Sequence, residues 1–167
     1  MLADAIVRWT ARLFVACYIG RICIDAARRR DARSQKLARG IWTVGCFACL
    51  AHVAAAFHFV HHWSHAAAYD HVLHRTLETT GFATGIGLYI NHAFVLIWVA
   101  DVVFWGRSLA WSDRPVPYWI VQCLFAFLIL QATAVFGPAF WIPIVLLAML
   151  ILVLLWIGRR RPTSPGV

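Results

Sequence analysis

Hydrophobic positions in this chain gather into long unbroken runs rather than recurring with a helix or strand period. The runs occupy about 41–63, 84–106 and 118–157, and short polar stretches separate them. A run of ~20 apolar residues crosses a bilayer as α-helix, the fold that pairs every backbone N–H and C=O within its own segment. The first two runs each supply one crossing, and the third is about twice the necessary length, which predicts a hairpin. Gly137-Pro138, followed by Pro143, supplies the break, because proline cannot donate to the helix ladder and restricts the residue before it. The turn is expected at 136–140. An earlier run at about 5–24 carries Arg8, Arg12 and Arg21. It either crosses with its arginines snorkelling toward the headgroups or lies on the surface as an interfacial helix. The expectation is an all-α, polytopic transmembrane helical bundle of five spans, at about 5–24, 41–63, 84–106, 118–136 and 140–157. These form one domain, 1–158, ahead of a short cytoplasmic tail at 159–167. The alternative is four spans plus an N-terminal interfacial helix.

Composition sharpens this reading: 62% of residues are hydrophobic and 13% charged, against about a quarter charged in ordinary globular domains. The net charge of +8 is unevenly placed. Arg21, Arg28, Arg29, Arg30, Arg33, Lys36 and Arg39 fall at the end of the first proposed span and in the loop to the second, Arg107 and Arg114 between the third and fourth spans, and Arg159 to Arg161 after the last. If spans alternate, all three groups share one side, which basic short loops mark as cytoplasmic. The stretch 64–83 and the Gly137-Pro138 turn are then external, the N-terminus outside and the C-terminus inside. A bacterial inner membrane is the expected home. The implied partners are the lipid bilayer, anionic lipid at the basic cytoplasmic loops and other membrane proteins. Nucleic acid is not expected, since no basic platform interleaved with aromatics is present. Trp42, Trp63, Trp105, Trp119, Trp141 and Trp156 fall at proposed span ends as interfacial anchors, and Trp98 lies deep. The five cysteines sit in or beside apolar runs, where they read as small buried hydrophobes.

Histidines supply the candidate chemistry. Seven of the eight fall between positions 52 and 74, and ionisable groups at a membrane boundary are functional-site candidates. On a helix continuing to residue 65, His58, His61, His62 and His65 share an arc of roughly 100°. A following interfacial helix at about 66–79 places Asp70, His71, His74 and Glu78 on one side, with Tyr69, Leu73 and Leu77 on another. These eight residues, His58, His61, His62, His65, His71, His74, Asp70 and Glu78, are the candidate ligands for a transition metal. Their nitrogen and oxygen donors suit Fe, Zn, Cu or Mn, in a redox, hydrolytic or metal-handling role. A non-enzymatic membrane subunit or assembly factor is the alternative. A third reading uses His52 and His92, both near mid-membrane, as bis-histidine ligands of haem b in an electron-transfer subunit. Asp101 is expected to pair with Arg21 or Arg107. Phosphate loops, nucleophile elbows and His-Glu-x-x-His zinc boxes are absent, so whether the chain is an enzyme stays open.

His58-Phe59-Val60-His61-His62 resembles the HxxHH box of membrane-bound desaturases and hydroxylases, a resemblance covering residues 58–62 that implies iron. More broadly, Ala51-His52 through Trp63-Ser64-His65 to His71, with Gly87 to Asn91, is similar to small polytopic membrane proteins of planctomycete-type bacteria. That resemblance implies no activity.

Overall fold

The computed structural model describes residues 2–27, 32–106 and 115–159. The basic residues Arg28, Arg29, Arg30, Arg107, Arg114, Arg160 and Arg161, and the proposed tail beyond residue 159, lie outside the described residues. Six α-helices follow in order: α1 (Leu2–Ala26), α2 (Ala32–Phe59), α3 (His65–Thr80), α4 (Gly87–Gly106), α5 (Pro115–Leu130) and α6 (Trp141–Arg159). There is no strand among the described residues. Among the described residues, three helical stretches are long and apolar enough to cross a bilayer: Ala32–Phe59, Gly87–Trp105, and Tyr118–Val135, which includes the turn that prolongs α5. The chain is a helical membrane protein.

The first helix lies antiparallel against α2 along most of its length. Val7 and Phe14 meet His52, Cys17 meets Gly45, Gly20 meets Ile41 and Arg21 meets Trp42. Close approach is possible because of Gly45. A Cβ there would stand 2.8 Å from the Cys17 Cβ and 2.9 Å from Cζ2 of Trp98 on α4, so three helices converge on a position that only hydrogen fits.

Around this seam sits an aromatic core of Tyr18, Trp42, Phe94, Trp98 and Phe125. The rings of Trp42 and Trp98 lie 4.7 Å apart and those of Phe94 and Phe125 4.5 Å, the spacing of attractive offset and tilted ring pairs. Trp42, read from the sequence as an interfacial anchor, is instead fully buried, and its indole N–H donates to Asp101 Oδ2 at 2.8 Å. Arg21 does not supply the expected salt bridge to Asp101. It is 3% exposed, pairs through Nε with Asp25 Oδ2 at 2.8 Å, and lies 4.0 Å from the Trp105 ring. Tyr118 donates its hydroxyl to the same Asp25 oxygen at 2.7 Å, tying α5 to α1. Arg107, the other expected partner of Asp101, lies outside the described residues.

At its far end α5 widens into a π-turn, Gln131–Val135, closed by the Phe136 N–H on the Gln131 carbonyl. The chain then reverses over 136–140 into α6. A side chain at Gly137 would collide with the Thr133 carbonyl, so the reversal depends on glycine. Arg75 of α3 reaches the Phe136 carbonyl at 3.3 Å, and Arg12 of α1 lies 5.2 Å from the Phe140 ring. The start of α1, the end of α2, α3 and the α5–α6 turn therefore share one end of the bundle. That end carries the histidines.

Candidate functional site

The sequence pattern extends the second helix through His65, but α2 stops at Phe59. A tight reversal follows. Trp63 N–H bonds to the Phe57 carbonyl at 2.8 Å, and Ser64 N–H to the His61 carbonyl at 2.8 Å. His62 (φ 50°) and Trp63 (φ 60°) both adopt the left-handed conformation, which costs a non-glycine residue about 1–2 kcal/mol. Ser64 then starts α3 in the ordinary way, its hydroxyl accepting from Ala67 N–H at 3.2 Å. At the other end Gly81 (φ 81°) closes the helix in the left-handed conformation.

This reversal replaces the shared helical arc with two imidazole pairs that bridge elements. His61, in the reversal, faces His71 of α3 with ring centroids 5.3 Å apart and planes at 67°. His65, at the start of α3, lies 5.9 Å from His92 of α4 with nearly parallel planes, 17°. The first pair can turn its nitrogens toward one ion; in the second, near-parallel rings aim their nitrogen lone pairs alongside rather than at each other. His58 is engaged separately, because its Nδ1 accepts the indole N–H of Trp63 at 3.2 Å. His62 is close enough to His61 to influence its charge. Glu78 stands 3.7 Å from Arg75 in an exposed ion pair, and Asp70 and His74 are exposed on α3. Among the described residues, no three His, Cys, Asp or Glu side chains come together as a ready-made metal cage.

Of the expected Tyr69, Leu73 and Leu77 face, Tyr69 docks α3, joined by Ala68 and Val72. Ala68 is fully buried, the Tyr69 ring covers Gly85, and Val72 covers Gly87, while Leu77 is 41% exposed. The two glycines let α3 lie close over the segment leading into α4. A Cβ on Gly85 would come within 2.6 Å of the Tyr69 ring.

No family model, curated protein or solved structure matches the chain.

His52 and His92, the haem candidates, have their described contacts with different neighbours. His52 Nδ1 lies 3.0 Å from the Val7 carbonyl, which can only accept, so that nitrogen carries the proton and Nε2 keeps the lone pair. Its ring meets the edge of Phe14. His92 meets Phe57 and His65.

His61 is held below the usual histidine value of 6.5, first by partial burial and then by the nearby His71 and His62. Its charged form is thus disfavoured in the folded protein. The unfolded chain binds this proton at higher pH than the native one does. The stability contributed by neutral His61 is therefore present above about pH 6.5 and is lost as pH falls from there through the lowered folded value. An NMR titration of the metal-free protein is expected to place the His61 ring below the usual histidine value of 6.5. In His71→Ala the value is expected to rise only part of the way, because burial, the larger cause, remains. A full return to 6.5 would make His71 the main cause instead.

Proposed function

We propose that this is a five-span protein of a bacterial inner membrane, with its N-terminus and histidine end outside, which binds a transition metal at that end. The antiparallel course of α1 along α2 supports counting α1 as a span, and the uneven basic residues support the orientation. The observation that carries the metal reading is the His61–His71 pair: two imidazoles from different elements, 5.3 Å apart between ring centres. Two imidazole nitrogens bound at about 2.0–2.1 Å to one tetrahedral ion stand roughly 3.4 Å from each other. Small rotations of these rings meet that requirement. Further donors come from His58, His62 or His65, from His74, Asp70 or Glu78 by side-chain movement, or from water. An ion bound by few protein groups keeps open positions, which suits metal handling or activation of a bound water.

Metal analysis of protein purified in mild detergent, with an optical spectrum of the same sample, tests this directly. Stoichiometric Fe, Zn, Cu or Mn is expected, lost in His61→Ala and His71→Ala. Metal retained in both variants would refute the assignment. A second reading, a haem-carrying electron-transfer subunit, draws on His52, whose Nδ1–H is fixed on a carbonyl as metal-ligating histidines usually are. A reducible Soret band lost in His52→Ala would select it. Colourless, metal-free protein would favour a membrane subunit or assembly factor.

A further inference from the structure

A carboxyl group inside a membrane bundle stays ionised where a cation or several donors meet it; without them it keeps its proton. Two carboxyls at the end of the bundle opposite the histidines can be compared in these terms. Asp25, one residue before the end of α1, receives two donors on Oδ2: the charged Arg21 Nε at 2.8 Å and the Tyr118 hydroxyl at 2.7 Å. Its side chain is 20% exposed. Asp101, a little over one turn before the end of α4, is more deeply buried and receives one neutral donor, the Trp42 indole N–H. Among the described residues it belongs to no ion pair.

The cation exists, but it is committed elsewhere. Arg21 is buried, lies 5.6 Å from the Trp42 ring, and with Asp25 stands close enough for its charge to act on Asp101. One guanidinium balances one carboxylate. Ionising both acids would leave a net negative charge among Trp42, Trp98 and Trp105, in surroundings where an uncompensated charge costs several kcal/mol. The other groups near Asp101 supply no positive charge: the Cys46 thiol from α2, and from α5 the Tyr118 hydroxyl, which is spent on Asp25.

We infer that Asp101 is a proton-binding site inside the bundle: its carboxyl is protonated at neutral pH because Asp25 holds the guanidinium that would otherwise ionise it. The ligand is a proton, so this inference stands apart from the metal reading. On release the carboxyl O–H bond breaks, the proton passes to water at the bundle end where Asp25 is partly exposed, and the electron pair stays on Asp101. Trp42 keeps its hydrogen bond in both states and is a positioning residue. Asp25 is one as well, acting through Arg21.

Infrared spectra of the full chain in an ester-free detergent at neutral pH test this. A carboxylic-acid carbonyl band is expected in wild type, shifted in D₂O and lost in Asp101→Asn, whose amide oxygen can still accept from Trp42. Asp25→Asn should also abolish the band, although it leaves Asp101 in place, because Arg21 becomes available to the Asp101 carboxylate. Labelling of wild type with a hydrophobic carbodiimide, which attacks protonated buried carboxyls, is expected at Asp101 and needs no variant to fold. No acid band and no label at Asp101 would overturn the inference. So would a band that persists in Asp25→Asn, or one that does not shift in D₂O.

Discussion

Arg21→Leu is expected to lower the stability of the folded protein by about 1.5–3 kcal/mol, the usual worth of a hydrogen bond between charged groups, because the pair it breaks is only partly buried. The substitution keeps an apolar side chain of useful size in the bundle but takes the guanidinium from Asp25, whose carboxylate also receives the Tyr118 hydroxyl. It also removes the cation held 4.0 Å from the Trp105 ring, a contact that contributes on the order of 1 kcal/mol or more when shielded from water. Arg21→Lys retains the charge but not the planar stack, and should fall between the two. Thermal unfolding in detergent measures both variants. A midpoint for Arg21→Leu equal to wild type would mean that the arginine adds nothing to the fold.

Gly45→Ala and Gly40→Ala should change stability in opposite directions. Both glycines lie within α2, and alanine gains about 1 kcal/mol of helix propensity at either. At Gly40 nothing lies within 4 Å of the new Cβ, so that gain is retained. At Gly45 the Cβ lands 2.8 Å from Cys17 and 2.9 Å from Trp98, and neither α1 nor a fully buried indole can move away freely. Overpacking of this kind costs about 1–3 kcal/mol or more. Gly45→Ala should therefore unfold at lower temperature than wild type, and Gly40→Ala at the same or higher temperature. Equal midpoints for the two variants would show that the three helices do not meet at residue 45 as described.

The helical bundle was legible because burial in lipid writes itself into the sequence as long apolar runs. What those runs could not show is which side chains face protein and which face lipid. Trp42 illustrates the gap: a tryptophan near the end of an apolar run suits an interfacial anchor, yet this one fills the core and bonds to Asp101. Arg21 and Asp25 are four residues apart, the spacing of neighbours on a helix face. That signal was available, and it competed with the more distant Asp101 for the same arginine. The histidine cluster was legible as composition but not as geometry. Its predicted arc assumed helix through residue 65, whereas two consecutive left-handed residues, which neither His nor Trp advertises, end α2 early and send His61 toward α3. The contact of His65 with His92 depends on how α3 docks across Gly85 and Gly87, a tertiary relation with no local periodicity to reveal it.

The seam between α1 and α2 also bears on how the chain is assembled. Its contacts join residues some 20–45 positions apart, such as Gly20 with Ile41 and Val7 with His52, whereas Tyr18 reaches the Gln122 carbonyl across more than 100. Closing the shorter loops costs less chain entropy. During synthesis the first two helices can therefore pair while the rest of the chain is still on the ribosome, presenting the edge of Gly45 and Trp42 as a ready template for the indole of Trp98 once α4 arrives.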